Sequence, residues 1–347
     1  MTRELSYRVD VLRHGALYDR LLWDASAGAP TIDCQKTAEI KRSMAGTFLV
    51  NDRVDLMTDE LRPVMILNGK ESPLGVFRVT GLEDLYTAYG KRWQLEAYDR
   101  SWLCSAAKTE NLLHISSGTK YMDAIKQLLT SCGIVNVIAV NSTATISSDR
   151  EDWPVGTPYL TIINDLLREL NYRELWFDAD GMAHLEPYKA PSAASIVRQY
   201  SRTDIHRLPF SPEMTGKTDI FNAPNVFVVV CSNGDLSKGY RAVAENDSPI
   251  SSKSTFRRGM RIVQVVHVNQ FSDMAALKGY AKRLRDESMV SNYQLKLEVP
   301  AEPGHGVGDI IGLDDPENGG IYEEASWSLT LGTGNMMRIN AQKMVVM

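Results

Sequence analysis

The sequence predicts an α+β fold that is mainly β, with an α+β unit standing between two β regions. Three observations carry this reading. Apolar and polar residues alternate through roughly the first hundred positions, where an Asn68-Gly69 turn joins two apolar runs. Helical spacing takes over after Cys104. Alternation then returns from about residue 225 onward, broken by a single helix.

The first region contains candidate strands at residues 7–12, 47–50, 64–67, 75–79 and 93–98, with no long helix among them. A small antiparallel barrel or sandwich fits this pattern. In the middle region, Tyr121, Ile125, Leu128, Leu129 and Cys132 share one helical face, and Gly133 closes that helix. A Ser/Thr-rich loop at 141–148 follows. Next comes a second helix with Thr157 as its cap, Pro158 at its first position and Leu160, Ile163, Leu167 and Leu170 on its buried face. Asn171 ends it in a left-handed conformation. A hairpin follows, its strands at 175–177 and 182–188 joined by a two-residue turn at Asp180-Gly181, and the preceding helix packs against it.

Residues 190–212, with scattered proline, serine and charge, read as a linker. Beyond it, strands are expected at 225–230, 261–268, 293–299 and 325–331, with a loop at 315–320. A helix is expected at 272–289 with Met274, Leu277, Ala281 and Leu284 on one face. At 347 residues the chain should divide into two to four units. The expected divisions are 1–105, 106–202 and 203–347, the last with an inserted helix-containing segment near 233–290.

Composition restricts function. The net charge of -5 argues against a general nucleic-acid binder, whose affinity comes from neutralising phosphates. It leaves room for a surface past which nucleic acid slides without sticking. No apolar run of the length of a membrane span occurs, and the first residues lack the apolar segment of a secretory signal. Cys34, Cys104, Cys132 and Cys231 are scattered without a Cys-x-x-Cys pair, which fits buried, reduced thiols from a cytoplasmic origin.

Candidate chemistry is sparse. Asp178-x-Asp180-Gly181 resembles the start of a calcium loop, but Gly181 stands fourth and Lys189 twelfth where such a loop needs glycine sixth and an acid twelfth. A turn is the better reading. The pairs Glu151-Asp152, Asp314-Asp315 and Glu323-Glu324 are adjacent rather than facing, unlike the two carboxylates of a glycosidase. His14, His114, His184, His206, His267 and His305 form no His-x-x-x-His spacing. A Gly-x-Ser-x-Gly elbow and a phosphate-binding loop are both absent, and the Gly304-His305-Gly306-Val307-Gly308 run reads as a turn before a strand. Basic residues at 257–261 and 278–285 lack interleaved aromatics and read as solvated or subunit-facing. No catalytic, cofactor-binding or metal-binding residue is assigned, and no cofactor is expected.

The order of segments resembles phage tail baseplate hub proteins, which join the tail tube to the spike or tip. The residues that carry the resemblance run along the whole chain: Leu61-Arg62-Pro63, Ser72-Pro73-Leu74-Gly75-Val76-Phe77, Ala97-Tyr98-Asp99-Arg100-Ser101 and Gly118-Thr119-Lys120-Tyr121-Met122-Asp123-Ala124-Ile125. The most characteristic run is Ile163-Asn164-Asp165-Leu166-Leu167, Leu175-Trp176-Phe177-Asp178 and Leu185-Glu186-Pro187-Tyr188. Phe221-Asn222-Ala223-Pro224-Asn225-Val226 and Glu245-Asn246-Asp247-Ser248-Pro249 open the third part.

The resemblance implies two tail-tube-like antiparallel β-barrel domains, residues 1–105 and 203–347, with α+β peripheral domains. It implies a homotrimer whose pseudo-sixfold ring adapts a hexameric tail tube to a threefold tip or spike. The expected partners are the tail tube protein, the tip or spike protein and a peripheral, distal tail protein. DNA would pass through the lumen without specific binding, over strands carrying acidic or small polar residues. The protein would sit in the virion tail after assembly in the host cytoplasm, and would not be an enzyme. Many relatives carry a C-terminal hydrolase extension, which is expected to be missing here or encoded separately. Two other readings are a peptidoglycan hydrolase and a receptor- or carbohydrate-binding module displaying Trp153, Trp176 and Trp327, residues that more naturally fill cores.

Overall fold

The computed structural model describes residues 3–190, 192–204, 206–211, 213–218, 224–232, 240–289 and 293–344. Residues 221–223 of the motif opening the third part, and 233–239 at the start of the inserted segment, lie outside them.

The first eight strands are β1 (Leu5–Arg13), β2 (Ala16–Leu21), β3 (Thr31–Gln35), β4 (Arg42–Leu49), β5 (Glu60–Leu67), β6 (Lys70–Pro73), β7 (Phe77–Thr87) and β8 (Gly90–Asp99). The middle of the chain holds α1 (Ser101–Ala106), α2 (Tyr121–Ser131), β9 (Val137–Ala139), α3 (Tyr159–Glu169), β10 (Trp176–Phe177) and β11 (Ala183–Leu185). Then come β12 (Ile196–Ser201), β13 (Thr215–Thr218), β14 (Val226–Cys231), β15 (Tyr240–Glu245), α4 (Thr255–Arg258), β16 (Val263–Val268) and α5 (Met274–Met289). The chain returns to strands in β17 (Tyr293–Pro300), β18 (Ile310–Asp314), β19 (Gly320–Thr330) and β20 (Met336–Lys343). Strands far outnumber helices, so the fold is mainly β with α+β character.

Three cores organise these elements. The largest lies under a 14-stranded sheet whose main path runs β13-β17-β20-β19-β3-β4-β8-β7-β5-β1-β2. Alternation explains its burial. Leu295, Leu297 and Val299 of β17 point inward, as do Met337, Ile339 and Ala341 of β20, Ile32 and Cys34 of β3, and Trp93, Leu95 and Ala97 of β8. In β19 the inward set changes parity. Tyr322 and Glu324 are buried, and beyond an irregularity at Ala325 the buried residues are Trp327 and Leu329. One extra residue in a strand swaps its faces in this way.

The two β regions are joined by direct pairing. Residues 326–330 of β19 pair antiparallel with residues 31–35 of β3. The sheet therefore passes without interruption from the C-terminal strands into the N-terminal ones.

The second core packs α1, α2 and α3 with the small sheet β10-β11-β9. The third packs one face of the sheet β15-β14-β16 against α5, through Val229, Cys231, Ala242, Ala244, Leu277 and Ala281. Polar contacts tie the units together. The Arg100 side chain donates to Gly181 O at 2.9 Å, Lys41 pairs with Glu174 at 2.6 Å, and Arg283 donates to Tyr172 O at 2.7 Å.

Several local expectations need correction. Thr157 does not cap α3: its hydroxyl donates to Pro154 O, and Pro158 occupies the cap position without a side-chain bond. Asn171 is left-handed, at φ 56°, as its position after the helix requires. The hairpin of β10 and β11 exists, but five residues separate the paired Phe177 and Ala183 instead of two. The linker at 190–212 contains β12, which pairs in parallel with β18 because Tyr200 contributes a fully buried ring to the main core. Met274 is 37% exposed, so the buried face of α5 begins at Leu277.

Candidate functional site

The opposite face of the large sheet is polar, and its register places the polar residues in rows. One row reads Lys296, Asn340, Ser326, Gln35 across β17, β20, β19 and β3. The next reads Glu298, Arg338, Ser328, Asp33, Ser43, Tyr98, Arg78 and reaches as far as β7. Two more rows run Thr330, Thr31, Ala45, Glu96, Gly81 and Thr47, Gln94, Glu83. Direct partners in a ladder share a face, so these residues form one surface crossing the β19–β3 join.

A cleft of about 1130 Å³ opens over this surface, lined by Asp33, Gln35, Ser326, Ser328, Arg338 and Asn340, with Glu213 and Met214 at its side. Short polar bonds fix the surface. Arg338 Nε donates to Glu298 at 3.0 Å, Asn340 Nδ2 donates to Ser326 Oγ at 2.8 Å, and the Thr31 and Thr330 hydroxyls lie 3.2 Å apart. Arg78 turns away and donates to Met57 O at 2.9 Å and to Thr58 O. Carboxylates, hydroxyls and amides therefore dominate, and the remaining cations are too few to hold a row of phosphates. Tyr98 is the one aromatic in these rows, too little for base stacking. This surface can line a polar passage.

The residues weighed for chemistry lie apart. Asp178 Oδ1 accepts from the Asp180 and Met182 N–H groups, at 3.0 and 2.9 Å, and its Oδ2 lies 2.8 Å from His184 Nε2. That carboxylate organises the hairpin loop, and Gly181 at φ 75° completes it. Glu151 meets His114, Asp152 meets Arg150, Asp314 meets Ser201, and Asp315 caps a turn while pairing with Arg202. Glu323 pairs with Lys36 at 2.7 Å. His14 and Gly15, at φ 53° and 78°, form the β1–β2 turn. Of the basic residues at 257–261 and 278–285, Arg257 donates to Pro249 O, Arg261 pairs with Glu245 and Arg283 pairs with Glu287.

One cluster was not legible in the sequence. His305, Asp309 and Glu324 bring their ligand-type atoms within 4.8 Å of one another. The His305 Nδ1 lies 3.0 Å from Glu324, while Asp309 accepts from Arg198 at 2.8 Å and from the Gly306 N–H at 2.9 Å. Arg42 donates to His305 O at 2.9 Å, and Trp327 donates to Gly306 O at 3.0 Å. The glycine-rich run is thus a turn, buttressed beneath the join of the two β regions. Trp153 and Trp327 are buried, which removes them as display residues, and Trp176 stacks on His184 at 4.1 Å.

No protein-family model matches the sequence, and no curated protein matches it. Solved structures do match. A tail protein from Neisseria meningitidis aligns with a TM-score of 0.67 at 15% identity, over 97% of both chains. The 43 kDa tail protein of prophage MuSo2 from Shewanella oneidensis aligns at 0.65 and 11% identity, over 98% of both chains. An Escherichia coli component of the type VI secretion system, described as similar to the T4 bacteriophage tail proteins gp27 and gp5, aligns at 0.51 and 9% identity, over 92% of this chain and 74% of that one. Over nearly its whole length, this chain has the fold of phage tail proteins.

Proposed function

We propose that this protein is a structural hub of a phage or phage-like tail, located at the baseplate or tip of the virion. Three copies close into a ring. Each copy brings two β regions, 1–105 and 203–347, so the ring presents six similar units to a hexameric tail tube and three to a tip or spike. The polar sheet face lines the channel through which DNA leaves.

The observation that supports this most is the uninterrupted polar face across the β19–β3 join. A two-region sheet with one side packed and the other polar and nearly neutral suits a conduit for a polyanion. Attraction would stall the DNA, and strong repulsion would block it. In this reading the chain is not an enzyme, and the 106–202 unit hangs at the periphery, where a distal tail protein binds. The cleft's carboxylates fit that reading, since Glu298 is held by Arg338 and the residues directly beside Asp33 in its row are Ser328 and Ser43.

Mass photometry of the purified chain, alone and with the tail tube protein, tests the proposal. A species of three chains is expected. Monomer alone under both conditions contradicts it. Release of soluble fragments from peptidoglycan, abolished by one carboxylate-to-amide change, would replace it with the hydrolase reading.

A further inference from the structure

Buried polar atoms without partners gather at one place in this chain. Ten side-chain atoms among the described residues are buried and have no hydrogen-bond partner within the chain. Four of them, Arg168 Nε, Asn171 Oδ1, the Tyr188 hydroxyl and Gln270 Oε1, lie along one seam. The seam runs between the 106–202 unit and the unit of β14, β15, β16 and α5.

Polar contacts mark its course. Gln270, just beyond β16, donates to Ser148 Oγ. The Ser272 N–H and hydroxyl donate to Glu169 O, at 3.3 and 3.1 Å. Arg283 of α5 donates to Tyr172 O at 2.7 Å, and its guanidinium lies 4.8 Å from the centre of the Tyr188 ring. Gly279 approaches Asn171 so closely that a Cβ there would lie 2.7 Å from Asn171 Nδ2.

Two cavities follow the same line. One of about 90 Å³ lies among Arg150, Arg168, Glu169, His267 and Gln270. Another of about 160 Å³ lies among Arg168, Tyr172, Glu174, Tyr280 and Arg283. Each has room for several water molecules. The apolar cores on the two sides are separate, with Leu160, Ile163 and Leu167 in one and Val229, Leu277 and Ala281 in the other. Apolar burial therefore holds each unit together and does little to hold the two to each other.

The orphaned atoms decide what such a seam does. A buried donor or acceptor without a partner disfavours the closed arrangement, and water satisfies it once the surfaces part. The bonds of Ser272 and Arg283 are exchanged for bonds to water at small net loss.

We propose that the unit of β14–β16 and α5 opens from the 106–202 unit along this seam in the native protein, each unit keeping its own core. The β15-β14-β16 sheet is separate from the large sheet, so the motion breaks no strand pairing of the large one. It occurs whether or not three copies form a ring.

Double electron–electron resonance between spin labels on the full-length Gln127→Cys/Lys278→Cys variant tests this. The two positions are exposed, on α2 and α5, and the native cysteines are buried. Two distances are expected, the longer one in a minority of molecules. Arg283→Ala should enrich the longer distance about fivefold. Gly279→Leu should enrich it too, because the new side chain must displace Asn171 while favouring the helix it sits in. Circular dichroism should be unchanged in both variants. A single distance in the chain with its seam unaltered overturns the proposal. So does a second distance that neither variant enriches, since that comes from the labels alone.

Discussion

Trp327 stands directly opposite Cys34 in the β19–β3 ladder, and its indole N–H donates to Gly306 O at 3.0 Å. Arg42, whose guanidinium lies 5.6 Å from the Trp327 ring, donates to His305 O and Leu74 O. Residues nearly three hundred positions apart thus share one buried neighbourhood. The N- and C-terminal strands are held as one sheet there, which lets the polar face run across both.

Truncating Trp327 should expose the consequence. Trp327→Ala removes a large buried ring and its hydrogen bond, and should cost about 3–5 kcal/mol. Urea denaturation should show a lower midpoint for the strands of both regions together. Loss of the C-terminal strands alone, with the N-terminal strands unchanged, would mean that the join is not cooperative.

The Arg150–Glu169 pair supports the second unit in a different way. Arg150 is 1% exposed and makes two bonds to Glu169, at 2.8 and 3.0 Å, and the Tyr121 hydroxyl adds a third at 2.9 Å. Arg150→Met leaves a buried carboxylate without its cation and should cost about 3–5 kcal/mol. Arg150→Met/Glu169→Leu/Tyr121→Phe removes all three polar partners and should recover most of that loss in thermal unfolding. A triple variant no better than the single would show that packing, and not charge, governs the site.

Burial pushes the Cys34 thiol up to about 11 from an ordinary value of 9.0. The folded state then keeps a proton that the unfolded chain gives up at lower pH. Stability from this group is complete below pH 9 and is lost as pH rises toward 11, by about 1.4 kcal/mol per pH unit at most. Unfolding free energies measured from pH 8 to 11 should fall, and Cys34→Ala should flatten that slope whatever its effect at pH 8. An unchanged slope would mean that other groups govern alkaline unfolding.

The Asn68-Gly69 turn gives a backbone test. Both residues have positive φ, 51° and 79°, and the turn sets the pairing of Leu67 with Lys70. Gly69→Ala meets open space yet must hold a left-handed conformation, and should cost about 1 kcal/mol in chemical denaturation. Equal stability would mean that the turn reshapes freely.

The polar face makes a prediction about DNA. Asp33→Lys/Gln35→Lys/Ser328→Lys places three cations within neighbouring rows and should create salt-dependent retention of duplex DNA in a gel-shift assay. Each new phosphate contact should steepen the logarithmic salt dependence by about 0.9. The unaltered protein should show no retention at physiological salt.

The sequence revealed the parts of this fold that rest on local order. Asn68-Gly69 marked its turn because only positive φ closes two residues between strands, and β17 showed its inward face through Leu295, Leu297 and Val299. It did not reveal the β19–β3 pairing, since contacts between residues 31–35 and 326–330 leave no local signature. The strand β12 was hidden among serines and charges because its partner β18 lies more than a hundred residues away. The His305–Glu324 contact was hidden because the turn around His305 looked complete in itself. The polar surface was legible one strand at a time, in Ser326 and Ser328 for example. Its continuity needed the register, and the parity change at Ala325 could not be read without it.

The central claim is that three copies form a ring whose inner wall is the polar sheet face. Electron cryomicroscopy of assembled tails tests it most directly. A threefold ring is expected at the end of the tube, with Asp33, Ser328 and Arg338 facing the channel and the 106–202 unit outside. A ring of another copy number, or one with these residues turned outward, would contradict it.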